Sequence, residues 1–235
     1  MTKLLSHFDS NPKVAKNTKL GWGTAVLHLA PASMSGFQVC SARSPGCEAA
    51  CLHHAGAAHY QSRKDQSRIA KTQRFFRDRH AFMAQLLREL QAHVRKMERM
   101  GLRPAARLNA TSDLPWERIR CGDHKNIMEA LPDVLFYDYT AIPNRVVPSN
   151  YHLTFSLKET NVAEADRQRA AGFNLAVVFP TEDLPDTFWG LPVIDGDETD
   201  FRPADPARCI VGLKAKGSKA KADTTGFVQP QLEAA

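Results

Sequence analysis

Short apolar runs punctuate the chain at residues 25–30, 105–110, 134–139, 151–157, 174–179, 192–195 and 209–213, and each reads as a strand. The runs are nearly continuous rather than alternating, which is the pattern of strands covered on both faces in a parallel sheet. Between the first and second runs the period changes. Phe82, Leu86, Leu90, Val94 and Met97 recur every three or four residues, predicting a long helical region over 57–100 that breaks near Asp78. Gly101 ends it and Pro104 lies just beyond, as a left-handed cap and a stop would. A second return helix is predicted over 159–171, closed by Gly172, with shorter ones near 126–131 and 182–189.

Strands alternating with crossovers imply a mostly parallel sheet with helices outside it, because parallel strands need long connections. Seven such units predict an α/β fold, an incomplete or irregular (β/α) barrel in a single domain, with a doubly wound open sheet as the alternative. Residues 1–20 read as a polar arm, 25–214 as the core, and 215–235 as a basic, partly flexible tail.

The first strand runs into Cys40-Ser-Ala-Arg-Ser-Pro-Gly-Cys47-Glu-Ala-Ala-Cys51-Leu-His53-His54, which holds three of the five cysteines. Pro45-Gly46 is expected to turn the chain back toward Cys40, and the four-residue step from Cys47 to Cys51 puts both sulfurs on one face of a helical turn. Thiolate is a metal ligand, and Arg43 would help hold its charge. Cys40, Cys47 and Cys51 could be completed by His53 or His54 as a zinc site, or could hold a [4Fe–4S] cluster with one iron open. Cys121 and Cys209 stand alone and read as core.

In parallel α/β folds reactive groups gather at the carboxyl ends of the strands. Polar residues recur there: Asn109, Thr111, Ser112 and Asp113 after the second strand, Tyr139 on the third, Thr154, Ser156 and Lys158 on the fourth, Asp195 and Asp197 after the sixth, and Lys214 and Lys216 after the seventh. Thr154 and Ser156 are assigned to cofactor, and Tyr139, Lys158, Asp195, Asp197, Lys214 and Lys216 to substrate. All are expected to share one end of the sheet with the cysteines. Closely spaced carboxylates from Asp195 to Asp200 could instead bind a divalent cation or form a salt-bridged turn.

The net charge of +6 permits a polyanionic partner, and Arg63, Lys64, Arg68, Lys71, Arg74, Arg77 and Arg79 make a basic stripe that could face nucleic acid. No apolar run approaches the roughly 18 residues that span a bilayer, and the start of the chain lacks the pattern of a signal peptide. No membrane association and a cytoplasmic location are expected. Walker, Gly-x-Gly-x-x-Gly, Gly-x-Ser-x-Gly and His-Glu-x-x-His motifs are absent.

A strand entering a three-cysteine loop, then a long helix and further strand–helix units, resembles the radical S-adenosylmethionine superfamily. More closely, Cys40 to Cys51, Arg107-Leu-Asn-Ala-Thr-Ser-Asp113 and Tyr151-His-Leu-Thr-Phe-Ser156 resemble phage and mobile-element proteins of the gene-product-eighty-eight type. The resemblance implies that Cys40, Cys47 and Cys51 ligate a [4Fe–4S] cluster whose fourth iron binds S-adenosylmethionine, with Asn109 to Asp113 near the methionine amino group. It further implies an enzyme acting on a small-molecule or nucleotide-type substrate. The superfamily's usual spacing is Cys-x3-Cys-x2-Cys, whereas this chain has Cys-x6-Cys-x3-Cys, and Thr-Ser-Asp replaces the superfamily's Gly-Gly-Glu. A zinc-stabilised nucleic-acid-binding protein without catalysis is the competing expectation.

Overall fold

The computed structural model describes residues 3–54, 62–180 and 183–230. Among them nine strands form one sheet: β1 Leu5–Ser6, β2 Trp22–Leu27, β3 Arg103–Arg107, β4 Leu135–Thr140, β5 Tyr151–Ser156, β6 Leu175–Phe179, β7 Thr187–Phe188, β8 Leu191–Asp195 and β9 Ile210–Lys214. Their order is β1-β2-β3-β4-β5-β6-β9-β8-β7. All pairings from β2 to β8 are parallel; only the two-residue edges β1 and β7 pair antiparallel, with β2 and β8. The sheet is therefore mostly parallel and open, with β1 and β7 as its two edges. A closed barrel is not what these pairings describe, and the one-way run from β2 to β6 differs equally from a doubly wound order.

The helices are α1 Pro12–Ala15, α2 Pro45–Ala49, α3 Ser62–Arg77, α4 Arg79–Arg99, α5 Ile127–Ala130, α6 Val162–Ala170 and α7 Ser218–Lys221. The expected break at Asp78 is real: its side chain caps α4 by accepting from the Ala81 N–H at 3.1 Å. At the other end Gly101 takes φ +67° and the Leu102 N–H returns to the Met97 carbonyl, which closes α4 with a left-handed turn. Residues 57–61 of the predicted helix lie outside the described residues. The helix expected over 182–189 is not formed in its described part, since Thr187 and Phe188 pair with β8 instead. The N-terminal arm is packed, with Leu4, Leu5, Phe8, Val14 and Asn17 buried. The tail is also engaged, through buried Ala220 and a parallel bridge from Val228 to Val178.

Strand alternation gives the sheet two different faces. Ala25, Leu27, Ala106, Leu108, Phe136, Tyr151 and Leu153 pack with Phe75, Phe82, Leu86 and Leu90 of α3 and α4. Phe155, Leu175, Val177 and Ile210 continue that face around Ala165 of α6. On the opposite face Trp22, Ala105, Leu135 and Tyr137 meet Phe201, which comes from the segment after β8 rather than from a helix. No helix among the described residues is long and apolar enough to cross a membrane.

Leu86 is fully buried, so Leu86→Ala should lower stability by about 2–5 kcal/mol through the cavity it leaves, measured by denaturant unfolding. A Cβ on Gly23 would sit 1.9 Å from Met97 Sδ, so Gly23→Ala should cost about 1–3 kcal/mol by separating β2 from α4. Gly23→Ala combined with Met97→Ala should recover part of that loss relative to Met97→Ala alone.

Candidate functional site at the carboxyl edge of the sheet

Because β2 to β6, β8 and β9 run parallel, the polar loops after them emerge at one edge. The pairings Ala105↔Leu135 and Tyr139↔Thr154 place Asn109 and Thr154 at the same end. The cysteine loop is held there by both of its neighbours. The Asp113 N–H donates to the Val39 carbonyl at 2.8 Å, forming a bridge between Cys40 and Asp113. On the other side buried Lys158 donates from Nζ to the Ala42 carbonyl at 2.9 Å. Glu159 then accepts from Ser44 Oγ and from the Gly46 N–H, both at 2.7 Å.

Pro45 and Gly46 open a short helix rather than form an isolated turn. Pro45 occupies the first position of α2, which Ser44 caps by accepting from the Cys47 N–H at 3.2 Å. Cys47 therefore lies on α2, while Cys51 follows its last turn. Gly46 is required by close approach: a Cβ there would meet Thr225 Oγ1 at 2.2 Å and Phe227 Cβ at 2.6 Å. The tail thus covers the loop.

Cys40, Cys47 and Cys51 are half-buried thiols, whereas Cys121 and Cys209 are fully buried in the core. Burial pushes the Cys40 thiol up to about 11, and Asp113, Cys51 and Cys47 push it in the same direction against a backbone hydrogen bond at Ala32. Cys51 is also raised, first by burial and then by Cys47. Arg43 is paired with a carboxylate of the same loop, its Nε 2.6 Å from Glu48 Oε2. His53 is buried between Arg68, whose Nη1 is 2.8 Å from Nδ1, and Asp65, 3.6 Å from Nε2. The donor chemistry of the loop fits a thiolate-bound metal. Among the described residues, however, no group of three or more His, Cys, Asp or Glu side chains is arranged to hold an ion.

The 109–113 loop is braced from beneath. Asn109 Oδ1 accepts from Ser112 Oγ, the Leu114 N–H and Trp116 Nε1, while its Nδ2 donates to the Leu114 carbonyl. Thr111 donates to the Leu29 carbonyl at 2.6 Å. Asp113 accepts from Thr140 Oγ1 and the Ala141 N–H, both at 2.8 Å. On the other face Tyr139 lies under the Arg107 guanidinium, 5.0 Å from its ring, and burial raises its hydroxyl to about 12. Thr154 is fully buried, and its hydroxyl has no hydrogen-bond partner. The Ser156 carbonyl accepts from Asn161.

Asp195, Asp197, Lys214 and Lys216 are tied to one another. Lys214 Nζ is 3.1 Å from Asp195, and Lys216 Nζ is 2.7 Å from Asp197, which Lys13 also contacts. This is the salt-bridged turn that acidic spacing allowed. Burial opposes ionisation of Asp197, but its bonds to Lys13 and Lys216 hold the carboxyl down at about 2.

Sequence reasoning missed Glu159, which it placed inside a helix. Its position directly after Lys158, at a strand end, was the available signal. It also missed Arg145, buried and bidentate to Glu117 at 2.5 and 3.1 Å; residues 141–150 carry no periodic pattern that would mark it.

Together these features define an open, largely parallel α/β protein with a three-thiol loop seated at the carboxyl edge of its sheet. Residues 3–231 match the family model described as Gene product 88, and the chain belongs to that family. No curated protein and no solved structure matches it significantly.

Glu159→Ala should loosen the cysteine loop, making Cys47 and Cys51 react several-fold faster with a thiol reagent, while Glu164→Ala on α6 should not. The Asp197 carboxyl is lower folded than unfolded, so its contribution is present above pH about 4 and lost as pH falls through about 2. The melting-temperature gap between the native chain and Asp197→Asn should accordingly be open at pH 6 and close toward pH 2.

Proposed function

We propose that this protein carries a [4Fe–4S] cluster on Cys40, Cys47 and Cys51 and is a radical-SAM-like enzyme acting on a small-molecule or nucleotide-type substrate. One observation carries this reading: three half-buried thiols share one loop at the edge of a parallel sheet, where reactive groups gather. Such a cluster supplies single electrons and an open iron. The engagement of His53 by Arg68 and Asp65 favours an open position over a closed three-cysteine, one-histidine zinc site.

The chain's own residues have definable parts. Lys158 and Glu159 position the thiols, and Thr111, Ser112 and Asp113 line the adjoining edge. The unpartnered Thr154 hydroxyl and Ser156, on the strand face shared with His152, are offered to S-adenosylmethionine. We read the sheet as an incomplete barrel, supported by the bonds from Lys13 to Asp197 and from Thr199 to Asn17, which join the arm before β2 to the loop after β8. Tyr139 remains the best substrate-side candidate; Lys158 would have to release the Ala42 carbonyl, and Asp195, Asp197, Lys214 and Lys216 their mutual pairs, to meet substrate.

Purification without oxygen should give a brown protein with about four irons and four sulfides per chain. Replacing Cys40, Cys47 or Cys51 with Ser should abolish the colour, whereas Cys121→Ser and Cys209→Ser should keep it. Adding S-adenosylmethionine should alter the electron paramagnetic resonance spectrum of the reduced cluster. A colourless protein with one zinc per chain would overturn the iron reading, and an unaltered spectrum would remove the cofactor while leaving the cluster.

A further inference from the structure

A cleft opens at the start of α4, well apart in the chain from the cysteine loop, lined by Arg79, His80, Arg118 and Arg120 over a floor of Met83 and Ile119. Its walls come from two segments distant in sequence, and both are fixed. Arg79 is held against the aromatic pair of α3, its guanidinium 4.8 Å from the Phe75 ring and 5.8 Å from Phe76. The other wall is a turn closed by reciprocal backbone bonds between Cys121 and His124, with Gly122 at φ +58° and Asn126 Nδ2 donating to the Glu117 carbonyl.

The flanking carboxylates Glu117 and Asp78 neutralise this cleft only in part. Glu117 is turned into the core and spent on Arg145, leaving its Oε1 3.7 Å from an Arg118 side chain that is 64% exposed. Asp78 is occupied in capping α4. Arg68, Lys71 and Arg74, by contrast, spend their donors inside the protein on His53, the Leu4 carbonyl and Gln85. The stripe along α3 is thus thinned in its middle, and the convergent cations stand at the start of α4.

We propose that this cleft binds the phosphate of a nucleic-acid strand, with Arg79, Arg118 and Arg120 contacting the backbone. Guanidinium forks match phosphate oxygens, and a small apolar floor admits the sugar edge. The proposal does not depend on the cysteine loop.

The test uses the full chain and a fluorescein-labelled single-stranded 20-nucleotide DNA, followed by anisotropy between about 50 and 200 mM salt. The double variant Arg118→Glu/Arg120→Glu should weaken binding at least tenfold and lower the salt slope by about 1.4, two phosphate contacts' worth. The charge-matched control is Arg95→Glu/Arg99→Glu, exposed residues near the far end of α4 and roughly 25–30 Å away at 1.5 Å per residue. It should change affinity less than threefold. Equal losses in the two double variants, or no binding at the lowest salt, would overturn the proposal. So would pyrophosphate binding that depends on Arg118 and Arg120 but is not displaced by the oligonucleotide, because the cleft would then serve a free phosphate compound.

Discussion

Two buried carboxylates at the carboxyl end of the sheet, Asp113 and Asp138, set the terms on which the surrounding loops are built. A buried charge costs several kcal/mol unless it is paired and hydrogen-bonded. Asp138 is fully buried; it accepts from the Asn109 and Leu108 N–H groups and from Tyr151 Oη, with Arg107 Nε at 3.9 Å. Burial still raises its carboxyl to about 7. Asp113 is likewise raised by burial, against its bonds to Ala141 and Thr140 and the Arg145 guanidinium 3.6 Å away. Satisfying these oxygens fixes the start of the 109–113 loop and the end of β4 in one arrangement.

The cysteine loop inherits that rigidity because it has little of its own. Its one helix is five residues long, and its attachments are the Val39–Asp113 bond, the Lys158 ammonium and the Glu159 carboxylate. They belong to two strand ends, those of β3 and β5, so the loop is positioned by separate strands of the sheet. The half-burial that raises Cys40 and Cys51 disfavours their thiolate forms, and a bound cation would supply the missing compensation.

Positive charge in this molecule divides into two populations. Arg107, Arg145 and Arg202 are sunk among carboxylates and hold the loops over the sheet, with Arg107 bonded to Asp200 at 2.7 Å and Arg202 3.3 Å from Asp205. Others, including Arg118 and Arg120, stay outside and are exposed to solvent. Net charge does not distinguish the two, since a buried, paired arginine and an exposed one count equally.

The chain's pattern by itself determined the seven longer strands to within about three residues, the break at Asp78, the cap at Gly101 and the gathering of polar loops at one edge, because these rest on periodicity, caps and the geometry of parallel strands. It could not supply β1 and β7, each two residues long, nor the open order of the sheet, because edge pairing and closure depend on where distant segments dock. Residue type likewise marked Asn109, Asp195 and Lys214 as polar groups at strand ends. Whether a polar group faces a ligand or a neighbour is decided by what folding brings beside it. Tertiary structure surrounded Asn109 with Ser112, Leu114 and Trp116, and set Asp195 against Lys214. It also brought Glu159 beneath Gly46, across 113 residues of chain, a contact no local pattern encodes.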